Sequence, residues 1–183
     1  MQNRMQTFKK EEKTMEKIYI VYNPLSCSGQ GKAFAEKAAE FYKADEVAYI
    51  NICETDYAKI FAEIEPEAKL VICGGDGTVN EVANGIIGYD NAAMTVIPIG
   101  TGNDFLKNFG DHADLFADAE NLWDSPAFPI DAIDVNGRIA LTIACSGLDA
   151  RVAADVHKYS ESPLLDGKGS YVYSLAVNFL FKS

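Results

Sequence analysis

A chain of 183 residues with 48% hydrophobic and 23% charged residues is ordinary globular material, long enough for one well-cored domain or a domain and part of a second, and its composition argues against disorder. A formal charge of −11 argues against a nucleic-acid binder and against simple electrostatic docking on an anionic membrane. It leaves phosphate ligands open, because a metal ion and backbone N–H groups can hold phosphate without a basic surface.

Cys27, Cys53, Cys73 and Cys145 form no CxxC pair, and His112 and His157 are the only histidines, so a zinc site is not expected. Scattered thiols without a secretory signal read as reduced and cytoplasmic. Met1 to Lys17 is polar and is not a signal peptide; residues 1–15 are read as a loose extension or an artefact of start-codon choice, with patterned sequence beginning after Met15. No run reaches the ~20 apolar residues that cross a bilayer; Tyr171–Phe181 is too short.

From Ile18 onward, apolar runs alternate with helical patterns. Strands are expected at Ile18–Tyr22, Val47–Ile52, Leu70–Cys73 and Thr95–Ile99, and helices at Lys32–Lys43, Tyr57–Ile64 (with Pro66 beyond it) and Val79–Ile87, ending near Gly88. This alternation predicts an α/β fold: a Rossmann-like parallel sheet with helices on both faces. Ligands in such sheets bind at the carboxyl ends of strands, after Tyr22, Cys73 and Pro98.

The pattern changes near residues 125–129. Pro129–Val135 and Arg138–Cys145 flank Asn136-Gly137, a strong hairpin signal, and antiparallel strands do not continue a doubly wound sheet. A helix from about Asp149, a loop through Pro163 and Gly169, and a helix from about Ser170 follow. The last carries Val172, Leu175, Ala176, Phe179 and Leu180 on one stripe. The expected division is a flexible extension (1–16), a nucleotide-binding α/β domain (17–127) and the start of an incomplete β-rich second domain (128–183). So short a second unit buries too little surface to stand alone.

Gly74-Gly75-Asp76-Gly77-Thr78 lies between a strand and a helix. Its glycines allow close approach and positive φ, so that N–H groups and the helix dipole converge on phosphate. Asp76 would repel a bare phosphate, which makes sense if it holds Mg²⁺. Thr78 and Glu81 read as a capping box that starts the helix. Gly100-Thr101-Gly102-Asn103-Asp104 also follows a strand, with Asn103 or Asp104 capping a short helix at Phe105–Phe109. The third loop, Asn23 to Lys32, is neither a Walker A nor a dinucleotide fingerprint: Ser26 and Ala33 break the first pattern, and Phe34 the second. Taken singly, each loop also reads as a turn or a cap; two glycine-rich loops at adjacent strand ends would face one site.

Asn23-Pro24 with Ser26, Ser28 and Gly29, then GGDGTVNEV at 74–82 and PIGTGNDF at 98–105, resembles the diacylglycerol kinase and sphingosine kinase family over about Lys17 to Ala153. GGDGT alone is shared with NAD kinases, so an NAD kinase-like phosphotransferase is the competing enzyme, and a non-catalytic Mg-ATP-binding remnant the competing module. The resemblance implies ATP and Mg²⁺ as cofactors and a lipid such as diacylglycerol as phosphoryl acceptor. It places Asn23, Pro24 and Ser26 at the phosphate end of the ATP site and Thr55 at the nucleotide, a residue that also reads as a plain N-cap. Gly74, Gly75, Asp76, Gly77, Thr78, Asn80 and Glu81 would wrap the phosphates, with Asp76 aligning Mg-ATP. Gly100, Thr101 and Gly102 would complete the site.

Cys27 stands where the family usually has glycine, and Ala140, Thr142 and Leu148 replace a usual aromatic, Asn and Phe. The resemblance implies a catalytic base in a β-rich region beyond Ser183, so a C-terminally truncated lipid kinase is expected. Asp104, Asp131, Asp134 and Asp149 have bland readings as caps, turn formers or interface residues, and His112 and His157 as surface residues. Transient membrane contact by a cytoplasmic protein follows from the lipid substrate, no nucleic-acid partner is expected, and the sequence leaves a homodimer open.

Overall fold

In the computed structural model, the residues described are 17–42, 46–54, 57–64, 68–89, 92–122, 125, 127, 129–160 and 167–181. The N-terminal extension, Thr55, Pro66, Pro163 and part of the expected domain boundary lie outside them. Four strands, β1 (Lys17–Tyr22), β2 (Glu46–Asn51), β3 (Lys69–Gly74) and β4 (Ala93–Pro98), form one parallel sheet in the order β2-β1-β3-β4. The central strands β1 and β3 are near-continuous apolar runs because both their faces are covered. Ile20, Val21 and Ile72 are completely buried, each such side chain contributing roughly 1.5–3 kcal/mol.

Helices cover both faces, as the sequence predicts. Helix α2 (Gly31–Phe41) follows a short turn, α1 (Ser26–Gly29), and lays Ala35 and Ala38 against Ile18, Ile20, Val71 and Cys73. On the other face α3 (Tyr57–Ala62), α4 (Asp76–Ile86) and a 3-10 helix (Asp104–Ala117) join Tyr19, Val21, Leu70, Ile72 and Val96 through Phe61, Val79, Val82, Phe105 and Phe116. A second 3-10 turn, Ala119–Leu122, buries Leu122 at the same cluster. Alternate strand residues point to opposite faces, and the two clusters divide the sheet that way.

Several local expectations are corrected. Helix α4 starts at Asp76, not Val79, with extended Gly75 at its N-cap; Thr78 and Glu81 are therefore inside the helix and form no capping box. An aspartate in the first turn suits the positive end of the helix, so the earlier start is favourable. The helix stops where expected, before Gly88 at φ 90°. The helical segment after Gly102 extends to Ala117, well past Phe109. Gly110 (φ 53°) breaks its path, and the Phe109 and Phe116 rings pack at a tilt of 47° with centroids 4.6 Å apart.

The hairpin forms with Asn136 (φ 54°) and Gly137 (φ 83°) at its turn, as the Asn-Gly pair requires. Its strands, β5 (Ile133–Val135) and β6 (Arg138–Ala140), are shorter than expected.

Helices α5 (Leu148–Ser160) and α6 (Gly167–Phe181) pack on each other. Here the expected apolar stripe does not make the contact. Ser170, Ser174 and Asn178, spaced one turn apart, are buried with Val152 and Asp155, while Val172, Leu175 and Phe179 are exposed. Small side chains let the helices approach closely. Ser174 Oγ donates to the Val152 carbonyl (2.9 Å) and Asn178 Nδ2 to Asp155 Oδ2 (3.0 Å).

Candidate functional site

The strand order reverses direction between β1 and β3. The chain leaves β1 for β2 on one side and β3 for β4 on the other, the topological switch at whose carboxyl ends open α/β sheets bind ligands. The three loops singled out in the sequence all sit at carboxyl ends of strands in this part of the sheet.

The first loop folds back on itself. Asn23 N–H donates to the Cys73 carbonyl (3.2 Å), extending the β1–β3 ladder. Asn23 Oδ1 accepts the Leu25 N–H (2.9 Å) and the Cys53 thiol (3.5 Å), and the Ser26 N–H returns to the Asn23 carbonyl (3.1 Å). Cys27, Ser28 and Gly29 then adopt φ of 51°, 56° and 88°, so three successive residues lie in the left-handed region. Gly31 closes the loop, since a Cβ there would lie 1.8 Å from the Asn23 carbonyl oxygen. Consecutive N–H groups in such a turn can form an anion-binding concavity.

The second and third loops touch backbone to backbone. A Cβ on Gly100 would come within 2.3 Å of Gly75 Cα, and a Cβ on Gly74 within 2.5 Å of Thr78 Cβ, so these glycines are required by the protein's own packing. Positive φ is not their role. Gly74, Gly75, Gly77, Gly100 and Gly102 all lie outside the left-handed region, and the left-handed residue of the third loop is Asn103 (φ 53°). Gly77 has open space around it, and Thr101 and Gly102 are exposed. The Gly77 and Thr78 N–H groups belong to the first turn of α4, where no intrahelical acceptor exists; the ladder begins with Val79 N–H to the Gly75 carbonyl (3.1 Å). The mouth thus presents helix-start N–H groups and a hydroxyl, a set suited to phosphate.

Asp76 joins the two loops. Its Oδ1 accepts the Phe105 N–H (2.9 Å), capping the 3-10 helix from a neighbouring segment, and its Oδ2 stands beside Gly102. The expected cap from Asn103 or Asp104 is not formed. Asn103 instead closes its own loop, accepting the Gly100 N–H (3.1 Å) and donating to the Gly100 carbonyl (2.9 Å). Asp104 pairs with Lys107.

The remaining residues are placed as follows. Pro24, Ser26 and Asn80 are half-buried, and Thr78 is buried against Gly74. Glu81 forms an ion pair with Arg138 of the hairpin. Thr55 is not among the described residues. Asp134 Oδ1 accepts the Gly137 N–H (2.7 Å), which makes it a turn former, while Asp131, Asp149 and His112 are exposed.

Sequence reasoning missed Lys107. Its ammonium bonds Asp104 and also feels Asp76, and these carboxylates, Asp104 first, raise its pKa. A cation is therefore held beside the Asp76 loop; the signal was its i,i+3 spacing from Asp104. Among the described residues no three His, Cys, Asp or Glu side chains cluster to hold a metal by themselves. Mg²⁺ commonly uses one or two carboxylates together with substrate phosphates, and the Asp76 carboxylate, with one oxygen not engaged by Phe105, fits that use.

Residues 17–135 match the family model described as the diacylglycerol kinase catalytic domain. The chain is 33% identical over 153 residues to a protein of Bacillus subtilis named "Diacylglycerol kinase", covering 78% of this chain and 49% of that protein. It is 40% identical over 89 residues to a Pseudomonas aeruginosa protein named "Probable lipid kinase YegS-like", covering 48% and 29%. The crystal structure of a diacylglycerol kinase from Bacillus anthracis superposes with a TM-score of 0.54 at 22% identity, over 81% of this chain and 54% of that one, which shows the shared fold. The chain spans about half the length of its Bacillus subtilis relative, and less of the Pseudomonas aeruginosa one. With a matching family model over most of its residues and the three loops set at neighbouring strand ends, the chain belongs to the diacylglycerol kinase catalytic domain family.

Proposed function

We propose that this chain supplies the Mg-ATP-binding part of a lipid kinase that transfers the γ-phosphate of ATP to a lipid hydroxyl, such as that of diacylglycerol. The observation that carries this reading is the backbone contact of Gly75 with Gly100, bridged by Asp76 to Phe105 N–H, at the carboxyl ends of β3 and β4 beside the β1–β3 switch point. Asn23, Pro24 and Ser26 line the phosphate end, with Thr55 nearer the nucleoside. Gly74 to Glu81 form the phosphate loop and its helix, within which the Gly77 and Thr78 N–H groups bind phosphate oxygens. Gly100, Thr101 and Gly102 close the opposite side. Asp76 would hold Mg²⁺ directly or through water, and the ion would neutralise charge on the phosphates. Phosphoryl transfer needs chiefly positioning and charge neutralisation, which these groups provide. Residues 17–127 form the nucleotide-binding unit and 128–183 the start of the lipid-side unit. The protein works in the cytoplasm and meets the membrane transiently to reach its lipid.

The test is transfer of label from γ-labelled ATP to diacylglycerol in mixed micelles, with and without Mg²⁺. Mg²⁺-dependent labelling of the lipid is expected. Nucleotide binding without transfer to any lipid would reassign the chain as an ATP-binding module. Phosphorylation of NAD in place of lipid would move it to the other phosphotransferase class.

A further inference from the structure

Helix α4 has two ends with different tasks. Its first turn forms the phosphate loop, while its second half meets the β5–β6 hairpin. Asn84 pairs with the backbone of Ile139 as a neighbouring strand would. Its Oδ1 accepts the Ile139 N–H (2.9 Å) and its Nδ2 donates to the Ile139 carbonyl (2.9 Å). The second Nδ2 hydrogen reaches the Asn80 carbonyl (2.8 Å), so the amide is fixed to its own helix as well. One turn earlier, Glu81 pairs with Arg138. From the 3-10 helix, Asn108 Nδ2 donates to the Leu141 carbonyl (3.3 Å). The 3-10 helix is itself tied to the start of α4 by Asp76.

Beyond these bonds, Leu141 after β6 packs against the core cluster, and Ile139 and Ala140 are half-buried. The hairpin's strands have three residues each, and Ile133 and Val135 stay a little under half exposed (45% and 46%). A two-stranded hairpin is marginal alone in water, so directed hydrogen bonds decide where this one sits. The Glu81–Arg138 pair is partly exposed and screened by solvent, with 61% of the Arg138 side chain accessible. The part-buried amide clamp, with both of its polar atoms engaged, is the stronger of the two contacts.

We propose that Asn84 is a positioning residue: its amide clamp on Ile139 latches the hairpin, and the lipid-side unit that begins with it, to the helix whose first turn binds phosphate. The inference rests on the lipid-kinase reading for its functional meaning. Its consequence is coupling: a phosphate that steadies the start of α4 suppresses opening of that helix, and the hairpin shares the protection through Asn84.

The test is hydrogen exchange of the full chain with and without Mg-ATP, for the wild type, Asn84→Ala and Arg138→Ala. In the wild type, Mg-ATP should slow exchange both in residues 76–86 and in residues 133–141. Asn84→Ala should keep the protection of 76–86, lose that of 133–141, and raise basal hairpin exchange roughly tenfold or more, as loss of a pair of part-buried hydrogen bonds predicts. Arg138→Ala should change hairpin exchange by less than about threefold, in line with an exposed ion pair. Unchanged protection of β3 (residues 69–74) in each variant shows that the sheet is intact. Hairpin exchange identical in wild type and Asn84→Ala overturns the latch. Absence of any Mg-ATP effect on 76–86 in the wild type overturns the lipid-kinase reading and the coupling; the basal hairpin rate then still shows whether Asn84 holds the hairpin.

Discussion

Asp76 carries two tasks in one carboxylate: a hydrogen bond to the Phe105 N–H and, in the proposed function, a hold on Mg²⁺. The tasks separate by substitution. Asp76→Asn keeps an oxygen for Phe105 and should lose little thermal stability, whereas Asp76→Ala leaves the N–H without its cap and should cost about 1–2 kcal/mol by denaturant melts. Cys27 tests strain in the first loop. At φ 51° and exposed, it occupies a region that disfavours side chains. Cys27→Val should destabilise by about 1 kcal/mol or more although it removes no core contact, and Cys27→Gly should not destabilise. The sequence flagged this position only as a departure from the family's glycine; the left-handed backbone explains why glycine suits it. At Gly100 an alanine Cβ would press on Gly75 Cα, so Gly100→Ala should lower the melting temperature by more than an ordinary surface change.

Among the elements, β3 offers a test of burial. Burial raises the Cys73 thiol from 9.0 to about 12, and burial first, then the neighbouring Cys73, raises Tyr42 from 10.0 to about 12. Both groups stay neutral in the folded state while the unfolded chain ionises. The stability they support is therefore full below pH 9 and falls as pH rises from 9 towards 12. Denaturant midpoints measured from pH 8 to 11.5 should decline, and Cys73→Ala should flatten the earlier part of that decline. In thiol labelling of the native chain at neutral pH, exposed Cys27, Cys53 and Cys145 should react while Cys73 waits for unfolding. Elements with strong periodicity or an obligatory turn were legible: the four strands, α2, and the Asn136-Gly137 hairpin. The start of α4 was not, because Thr78 and Glu81 mimic a capping box while the true N-cap is a glycine without a side-chain signal. Helix α6 misled in the opposite sense. Its apolar residues mark a face, but the partner helix takes the Ser170–Ser174–Asn178 side, which hydropathy alone does not rank as an interface.

At the scale of the whole molecule, alternation of strands and helices already implied a parallel sheet, and the three loops of the candidate site were legible as lying at its carboxyl ends. What the sequence withheld was contact between segments distant in the chain: Gly75 on Gly100, Asp76 on Phe105, Asn84 on Ile139. No periodicity reports such pairs, since each depends on how separate strand ends are brought together. On α6, Val172 and Phe179 are each about two-thirds accessible (65% and 66%), on the side away from the Ser170–Ser174–Asn178 contact.

The central claim is that the joined loops bind Mg-ATP. Calorimetric titration of ATP into the chain, with Mg²⁺ and with a chelator, for the wild type and Asp76→Asn, tests it most directly. Mg²⁺-dependent binding by the wild type, weakened about tenfold or more (~1.4 kcal/mol) in a variant that remains as stable, is the predicted result. A folded wild-type chain that binds no ATP, or binds it equally well without Mg²⁺ and without the Asp76 charge, would contradict the account.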